Sequence, residues 1–557
     1  MPSALDRKYD AVLEKVLGEG GRVQIGRDPD GRAIVTNLPP TLPSLFDVFC
    51  MLHGEVEGVV AGDERLTFAE LNQHATRLAR ALAGSGIVKG DRVGIAMRNC
   101  PTWIVAWMAV LKAGGVATLI NGWWQADEMR HALSLTEPKL VIADASRAPR
   151  IDATGLGIAT AVLPVERKVE EAMGPLLGGP DADLPSVAPE DDATILFTSG
   201  STGVAKGAVS THRAVTTGVY AYAIGLLTLL GIKESEGQPP VNPPKTLVNV
   251  PLFHVTGEVP VLLNSLVIGR TMVLMPKWDA GEAMRLIEAE KVTYFVGVPT
   301  MSLEMMTHPD RDKYDLSTLT DIAAGGAPRP VAHVERLEET FRGAQPALGY
   351  GLTETNAVGC GNFWANYHDK PASTGRAQRP LVELAILGEG DVHLPPGERG
   401  EVAIRSAANI RGYWRDEEAT RAAFTADGYV RTGDVGYLDE DGYLFIVDRK
   451  KDIVIRGGEN ISAQEVEAAI YTHPAVSEAA VFGVPDERLG EVPAAVVYAE
   501  TGGLTRDALL EFLAGQLAQF KLPAYVWIRE EPLPKLGTGK IDKVELRDRY
   551  RKIADAA

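Results

Sequence analysis

The sequence predicts an α/β protein with a large N-terminal domain and a small α+β C-terminal domain. Between residues 92 and 143, short apolar strands alternate with amphipathic helices, a pattern typical of a mostly parallel sheet covered by helices. From Gly400 the pattern changes to short strands and turns, and the charged stretch DRKKD at 448–452 precedes a compact αβ pattern. We therefore predict an N-terminal domain at 1–448 and a C-terminal domain at 453–557, with a domain boundary at 449–452.

Composition limits the class of protein. The chain has 557 residues, 45% of them hydrophobic, which is enough for two or more domains with large cores. Its formal net charge of −18 disfavours nucleic acid or an anionic membrane surface as the main partner. The three cysteines form no CxxC pair, so core packing is expected for them. We find no apolar signal core and no run of about 18 apolar residues, and therefore expect a cytoplasmic protein with no integral membrane segment.

The first elements are predicted from caps and periodicity. After a polar lead-in to about Pro43, Thr67 and Glu70 form a capping box that begins a helix, and Gly84 ends it. The following pattern predicts a strand at 92–97, a helix at 101–112, a strand at 116–120, a helix at 125–133 and a strand at 140–143.

The middle of the chain reads as two irregular connections and a second α/β run. Residues 152–190 and 233–245 are rich in Gly, Pro and charges, and we interpret both as irregular segments. Strands are predicted at 246–250, 271–275, 294–298 and 322–324, with a helix at 280–290. Motifs that follow these strands are expected to bind ligands, because α/β sheets bind at the carboxyl ends of their strands.

A glycine-rich loop follows a predicted buried strand that begins at Ala193. The loop lacks bulky side chains, so its backbone amides and hydroxyls are free to surround an anion, and Lys206 adds a positive charge. It is not a Walker loop, because Ala205 and Gly207 flank that lysine. A polyphosphate-binding loop is favoured over a solvated Ser/Gly turn. Its residues are Thr198, Ser199, Gly200, Ser201, Thr202 and Gly203.

Six short motifs occur in a fixed order along the chain. They are TSGSTGVAKG (198–207), PLFHVTG (251–257), GYGLTET (349–355), RTGD (431–434), DRKKDIVIRGGEN (448–460) and PKLGTGKID (534–542). This order resembles the adenylate-forming superfamily, which includes acyl-CoA and aryl-CoA synthetases, peptide-synthetase adenylation domains and luciferases. The resemblance covers nearly the whole chain from about Leu66. Enzymes of this kind bring a carboxylate to the α-phosphate of ATP, so cations and amides must offset the repulsion of two anions.

The resemblance assigns roles in nucleotide binding to several residues. It implies that Tyr350 stacks on adenine, with core packing as the alternative, that Thr353 contacts the α-phosphate and that Glu354 binds Mg²⁺. Asp434 resembles the ribose ligand. Arg449 would assist it, unless it is only part of a solvated charged linker. The remaining members of the predicted nucleotide site are Gly325, Gly326, Ala327 and Gly351.

Three further positions carry predicted roles in the acid and thiol steps. The candidate catalytic residues are Lys540, Thr353 and His254. By resemblance, His254 would face the acyl pocket, although a lone histidine at a strand end is more often structural. Peptide-synthetase adenylation domains typically carry an Asp just after the aromatic residue of this motif, where it holds the amino group of the substrate. His254 follows Phe253 here, so an acid without an amino group is favoured. By resemblance, Lys540 reaches the nucleotide during adenylation and Gly458 faces the CoA tunnel. The resemblance also implies that 449–452 is a hinge, with Lys451 as the hinge residue, and that the C-terminal domain at 453–557 is mobile.

We therefore predict an AMP-forming acyl-CoA synthetase that uses ATP, Mg²⁺ and CoA on a carboxylic acid, with a fatty acid ahead of an aryl acid. Two alternatives stay open: transfer of the acyl group to a carrier protein, and a nucleotide-binding protein that has lost catalysis. The chain ends in DAA, not in a peroxisomal address, and no carrier domain follows Ala557. The resemblance also allows a homodimer.

Overall fold

A computed structural model describes residues 2–198, 205–327, 329–450, 452–456, 459–486, 488–499, 503–536 and 539–554. The α-helices of these residues are, in chain order, α1 (Ala4–Leu17), α2 (Leu42–Leu52), α3 (Phe68–Gly84), α4 (Pro101–Lys112), α5 (Ala126–Thr136), α6 (Ala148–Asp152), α7 (Val169–Ala172), α8 (His212–Ser235), α9 (Asn264–Ile268), α10 (Ala280–Glu290), α11 (Pro299–Thr307), α12 (Val331–Thr340), α13 (Trp364–Asp369), α14 (Glu417–Ala423), α15 (Ala463–Tyr471), α16 (Arg506–Ala514) and α17 (Lys543–Ala554). A π-helix, Gly257–Leu263, leads directly into α9.

The strands of the same residues are, in chain order, β1 (Ile25–Arg27), β2 (Ala33–Val35), β3 (Glu57–Ala61), β4 (Glu64–Thr67), β5 (Arg92–Ala96), β6 (Val116–Leu119), β7 (Leu140–Asp144), β8 (Thr160–Leu163), β9 (Asp192–Thr198), β10 (Lys206–Thr211), β11 (Lys245–Val248), β12 (Thr271–Leu274), β13 (Tyr294–Gly297), β14 (Asp321–Gly325), β15 (Gln345–Gly351), β16 (Gly359–Phe363), β17 (Gly375–Ala377), β18 (Glu383–Leu387), β19 (Gly400–Arg405), β20 (Gly412–Tyr413), β21 (Val430–Leu438), β22 (Tyr443–Arg449), β23 (Val454–Arg456), β24 (Glu459–Ile461), β25 (Glu478–Asp486), β26 (Gly490–Tyr498) and β27 (Tyr525–Arg529).

Three large sheets organise the described residues. One has the strand order β20-β10-β9-β6-β5-β7-β8, and a second runs β18-β19-β21-β22-β17-β16-β15-β14-β13-β11-β12-β3-β4. The third contains β23 to β27, all of which follow the charged stretch at 448–452. The α/β class with a large N-terminal and a small C-terminal domain is confirmed. The boundaries at 448 and 453 and the hinge at 449–452 stay predictions.

The predicted βαβαβ unit is confirmed. β5 pairs in parallel with both β6 and β7. α3 begins with the Thr67–Glu70 capping box, and α4 covers residues 101–112, all of them buried. A helix that is apolar on every face belongs in a core, and Trp103 and Trp107 of α4 are among the largest fully buried side chains.

Both expectations of irregular segments are partly wrong, and two helices precede the first helix that we predicted. α1 lies in the polar lead-in and α2 follows at its end, while residues 152–190 contain α7 and β8, which pairs in parallel with β7. α8 continues to Ser235, two residues into the segment that we expected to be irregular. Tertiary contacts explain α1: Asp6 accepts hydrogen bonds from Arg376 and Tyr443, which lie far away in sequence.

α8 is the long apolar helix of the N-terminal part. By length and composition alone it could cross a membrane, but 67% of its most apolar window is buried inside the protein. It packs against α1, α9 and the π-helix, so its apolar character is accounted for by the core. The three cysteines are also buried and unpaired, as expected.

The carboxyl ends of the central parallel strands lie at one edge of the largest sheet. β11, β12, β13 and β14 pair in parallel, and β15 continues the parallel set beside β14. The segments that follow these strands include the motif at 251–257 and Gly325–Ala327. Their common edge defines the position of the candidate site.

Candidate active site

One cavity of about 2290 Å³ brings the predicted residues together. Every predicted site residue that the structure describes lines it: Thr198, Lys206, His254, Gly325, Gly326, Ala327, Tyr350, Gly351, Thr353, Glu354, Asp434, Arg449 and Lys540. Ser199, Gly200, Ser201, Thr202, Gly203, Lys451 and Gly458 lie outside the described residues. Motifs separated by more than 300 residues therefore face one space, while the role of each residue stays a prediction.

The two ends of the glycine-rich loop are fixed by a hairpin. β9 and β10 are antiparallel, and Thr198 at the end of β9 is the cross-strand partner of Lys206 at the start of β10. This pairing holds both residues at the cavity wall. The ammonium group of Lys206 lies 5.1 Å from the centre of the Tyr413 ring, a cation–π distance.

Tyr350, Asp434 and Arg449 form a hydrogen-bonded group. The Tyr350 hydroxyl donates to Asp434 Oδ2 at 2.6 Å, and Arg449 Nε lies 3.1 Å from Asp434 Oδ1. Burial raises the pKa of Asp434, and the Arg449 charge and the Tyr350 hydroxyl act in the opposite direction. The carboxylate is thus oriented by two donors, and the Tyr350 ring is anchored at its hydroxyl.

A backbone floor without side chains lies beneath Lys540. Gly325 is the cross-strand partner of Gly349, and Gly326 has a φ of +75°. A Cβ at Gly326 would lie 3.1 Å from Lys540 Cε and 3.3 Å from its Nζ, so a larger residue would press on the lysine. Glycine at this position therefore allows the Lys540 side chain to lie close to the backbone.

Lys540 enters the cavity from the C-terminal part of the chain. Burial, followed by the charge of Arg449, lowers its pKa to about 8, and the charge of Asp434 acts in the opposite direction. At neutral pH the group therefore carries a proton most of the time. Its position supplies a cation beside the residues predicted to bind the nucleotide.

Contacts between the N-terminal and C-terminal parts hold this arrangement. Lys535 lies 2.9 Å from Glu304 of α11 and 2.9 Å from Glu478 of β25, so one ammonium group bridges the two parts. The Thr300 hydroxyl donates to the Gly539 carbonyl at 3.4 Å. These contacts dock the segment that carries Lys540 against the start of α11.

His254 lies in the turn that follows β11. Its Nδ1 accepts a hydrogen bond from the backbone N–H of Thr256 at 3.3 Å, so the ring proton is on Nε2. Burial, followed by the charge of Lys540, lowers its pKa to about 3. The imidazole is neutral at pH 7 and can donate from Nε2, but it is not a source of positive charge.

Glu354 is oriented by a tyrosine that sequence reasoning missed. The Tyr413 hydroxyl donates to Glu354 Oε1 at 2.8 Å, and Tyr413 reaches this position because β20 pairs with β10. No periodicity or motif marks Tyr413 in the sequence. Its contact with Glu354 depends on the register of two distant strands.

The donor set around Glu354 limits how a metal could bind. No group of three or more His, Cys, Asp or Glu side chains capable of holding a metal occurs among the residues that the structure describes. A single hard carboxylate suits Mg²⁺, which usually takes one or two carboxylates and completes its shell with phosphates and water. Glu354 fits that pattern and does not fit an all-protein metal cage.

Comparison with known proteins shows that both parts of the chain resemble AMP-binding enzymes. A model of AMP-binding enzymes matches residues 46–414, and a model of the AMP-binding enzyme C-terminal domain matches 465–540. A long-chain-fatty-acid–CoA ligase of Mycobacterium tuberculosis is 34% identical over 88% of this chain and 94% of its own length. A feruloyl-CoA synthase of Amycolatopsis is 35% identical over 88% of this chain and 95% of its own.

A solved structure supports the fold over both parts of the chain. The o-succinylbenzoate CoA synthetase of Bacillus subtilis, in complex with ATP and magnesium ion, superposes with a TM-score of 0.77 at 27% identity. The match covers 90% of this chain and 99% of that one.

Proposed function

This chain belongs to the AMP-binding enzyme family, and we propose that, as an AMP-forming acid–CoA ligase, it converts a fatty acid, ATP and CoA into acyl-CoA, AMP and pyrophosphate. The observation that carries this proposal is the placement of Lys540 beside Asp434, Tyr350 and Gly326 in one cavity with His254. The long-chain-fatty-acid–CoA ligase of M. tuberculosis supports the choice of acid.

In the first half-reaction, a carboxylate oxygen of the acid attacks the α-phosphorus of ATP, and the bond to pyrophosphate breaks. Lys540 is assigned to the charge that develops between the carboxylate and the α-phosphate, because it is the cation that lies over Gly326. Thr353 would donate to the α-phosphate. Lys206 and the loop at 199–203 would hold the departing pyrophosphate.

The nucleoside would be held by the Tyr350–Asp434–Arg449 group. Asp434 would accept hydrogen bonds from the two ribose hydroxyls, and Arg449 keeps its carboxylate charged and oriented. Tyr350 would offer its ring to adenine while its hydroxyl remains on Asp434. Gly325, Gly326 and Ala327 would form the opposite wall with their backbone, and Gly351 would allow close approach beside Tyr350.

Glu354 would hold Mg²⁺ together with ATP oxygens, and the bound cation would neutralise phosphate charge. Tyr413 orients the Glu354 carboxylate by hydrogen bonding to Oε1, which leaves Oε2 for this task. Lys206 beside the Tyr413 ring would add a second positive charge on the phosphate side.

In the second half-reaction, the sulfur of CoA attacks the acyl carbonyl and AMP leaves with the C–O electron pair. We propose that rotation of the C-terminal domain about Lys451 withdraws Lys540 and brings Gly458 to the path of the thiol-bearing arm. His254 would donate from Nε2 to an oxygen of the acid in the first step, and its neutral state avoids a strong ion pair with the substrate.

An aryl acid is the second candidate, and one contact favours it. Trp123 and Phe253 both line the cavity and meet edge to face with ring centres 4.9 Å apart. Such a pair offers a flat aromatic surface close to His254. The feruloyl-CoA synthase relative is consistent with this candidate.

The direct test measures pyrophosphate release from purified protein with ATP and a panel of fatty and aryl acids, first without CoA and then with it. We expect release with fatty acids, followed by AMP and thioester formation when CoA is added. Faster turnover of aryl acids would favour the second candidate. Acyl-AMP that persists with CoA but is consumed by an added acyl carrier protein would favour carrier transfer, and no release with any acid would contradict ligase activity.

A cytoplasmic location and a homodimer are further proposals. Fractionation of cells that produce the protein tests the location, and sedimentation velocity tests the oligomeric state.

A further inference from the structure

The cavity extends from the nucleotide residues to the opposite edge of the largest sheet. Arg270 precedes β12, and Tyr294 and Asp321 begin β13 and β14, so all three lie at the amino edge of parallel strands. All three line the cavity. Gly325, near Lys540, ends β14 at the other edge, and the length of that strand separates the two ends by roughly 13 Å.

The far end of the cavity contains a buried guanidinium group that has no carboxylate partner. Arg270 is 4% exposed, and in the part of the chain that the structure describes no carboxylate lies within 4 Å of its nitrogens. Burial lowers its pKa to about 10, and Tyr294 acts in the opposite direction. A buried cation without a counter-charge is costly, so its presence calls for a partner.

The contacts of Arg270 hold the guanidinium in a fixed orientation. Nε donates to Ser265 Oγ at 2.9 Å, and Nη2 donates to the Pro260 carbonyl at 3.0 Å. The guanidinium carbon lies 4.7 Å from the centre of the Tyr294 ring. These contacts use one edge and one face of the guanidinium group, and no described residue accepts from Nη1.

The Tyr294 hydroxyl is a second donor at this place. It has no hydrogen-bond partner among the described residues, and burial raises its pKa, so it stays protonated. By contrast, the neighbouring Lys233 is used within the protein: it lies 3.8 Å from Asp321 and over the Trp364 ring at 4.9 Å. The donors left for a ligand are therefore Arg270 Nη1 and the Tyr294 hydroxyl.

We propose that Arg270 and Tyr294 bind a second oxygen of the acid substrate, a carbonyl or carboxylate oxygen at the end remote from the reacting carboxylate. This inference rests on the proposed ligase function and narrows its substrate class to acids with an apolar body and an oxygen acceptor at the far end. A purely apolar tail would leave the guanidinium without a partner. An acceptor at that distance completes the hydrogen bonds of both donors.

The test compares three straight-chain acids of equal length: an unsubstituted acid, a keto acid and a dicarboxylic acid. The second oxygen is placed roughly 13 Å from the reacting carboxylate, the span set by β14. With the unmodified enzyme, kcat/KM from pyrophosphate release should be at least about 100-fold higher for one or both oxygenated acids than for the unsubstituted acid, because sites built to hydrogen-bond a group reject analogues that lack it. The better of the two oxygenated acids identifies the acceptor.

Two variants and a control assign that preference to the named residues. Arg270→Met removes the charge at similar length, and Tyr294→Phe removes only the hydroxyl. Both should lower the ratio of kcat/KM between the oxygenated and the unsubstituted acid, Arg270→Met by at least about tenfold. Lys233→Gln is the control: it removes the neighbouring positive charge, which is already paired with Asp321, and should retain most of the ratio.

The outcomes distinguish a failure of the Arg270 and Tyr294 proposal from a failure of the ligase function. Equal kcat/KM for the three acids in the unmodified enzyme would overturn the assignment of Arg270 and leave the ligase function standing. Activation of none of these acids, nor of any acid in the wider panel, would overturn both. A preference that survives Arg270→Met and Tyr294→Phe in folded protein would also overturn it.

Discussion

The two ends of the cavity differ in how their charges are compensated. At the nucleotide end, Arg449 lies on Asp434 and the Tyr350 hydroxyl donates to the same carboxylate, so the protein supplies partners for its own charged groups. At the far end, Arg270 is anchored by a hydroxyl and carbonyls, and no carboxylate of the described residues pairs with it. This contrast is what we expect if, as proposed, the first end binds an invariant nucleotide and the second end binds the part of the acid that varies between substrates.

If the two ends act separately, substitutions at the two ends should have different effects. Substitutions at the nucleotide end should slow adenylation of every acid by the same factor, whereas substitutions at Arg270 should alter the ratio of adenylation rates between acids. The substitutions below test the first half of that statement, and each is measured on the unsubstituted acid and on the preferred acid.

Lys540→Ala should have the largest effect. Removal of a preorganised charged group at the reacting phosphate typically costs about 10²–10³ in rate. Pyrophosphate release should fall by at least that factor for both acids, while conversion of supplied acyl-AMP and CoA to thioester should stay near the parent rate. Equal loss in both half-reactions in folded protein would contradict the assigned role.

Glu354→Gln should have the second-largest effect, a fall in the rate of adenylation of about 10²-fold and a higher Mg²⁺ requirement. The substitution keeps the shape and the contact with Tyr413 but removes the charge that would hold the cation. The Mg²⁺ requirement is measured from the rate of pyrophosphate release at increasing Mg²⁺ concentrations. An unchanged Mg²⁺ dependence would count against Glu354 as the ligand.

The pH dependence tests the protonated state of Lys540. Because the pKa of Lys540 is about 8 and the charged form is the active one, the rate of adenylation should be constant below that pH and fall as pH rises through it, approaching tenfold per pH unit. Bound phosphates favour the charged form and can only move the fall upwards. Lys540→Arg is the matched control: arginine stays protonated, so any residual activity should lack this fall.

Tyr350→Phe should cause a loss of about tenfold or more in kcat/KM for ATP. The ring for adenine is kept, but Asp434 loses a charge-assisted hydrogen bond, which is worth about 1.5–3 kcal/mol. A loss seen with one acid only would mean that Tyr350 contacts the acid and not the nucleotide.

Lys535→Met should have the smallest effect, a two- to fivefold fall in adenylation at roughly physiological salt. Its ion pair with Glu304 is partly exposed, and such pairs contribute about 0.2–1 kcal/mol. Glu478 is buried, but it lies in the same C-terminal part as Lys535 and still accepts a hydrogen bond from the Leu533 N–H. The docked position of Lys540 would be less populated, whereas thioester formation from acyl-AMP should not fall. High salt should reduce the difference between the variant and the parent protein.

Sequence reasoning located the nucleotide end because its residues lie in short motifs with a recognisable order. Lys540 and Asp434 were named from such motifs, and the structure places both in one cavity. Tyr413 and Arg270 carry no such signal. Their significance depends on the pairing of β10 with β20 and on the lack of a carboxylate beside Arg270 among the described residues, which only tertiary structure specifies.

The same limit applies to the fold. The βαβαβ unit and α3 were predicted because caps and apolar spacing are local. α1 was missed although Ser3 and Asp6 form a capping box at its start, and its docking through Asp6 onto Arg376 and Tyr443, more than 360 residues away, has no local signal. The C-terminal sheet was recognised as a separate unit, but the docking of Lys535 and Gly539 onto α11 has no counterpart in the sequence pattern.

The most direct test of the account is a double-mutant cycle of Tyr350→Phe and Arg270→Met, measured by ATP–pyrophosphate exchange without CoA on the preferred acid. We expect acid-dependent exchange in the absence of CoA, and effects of the two substitutions that multiply, because the two ends of the cavity act independently. Exchange that requires CoA would contradict an acyl-adenylate intermediate. A double variant that departs several-fold from the product of the single effects would contradict the division between a nucleotide end and an acid end.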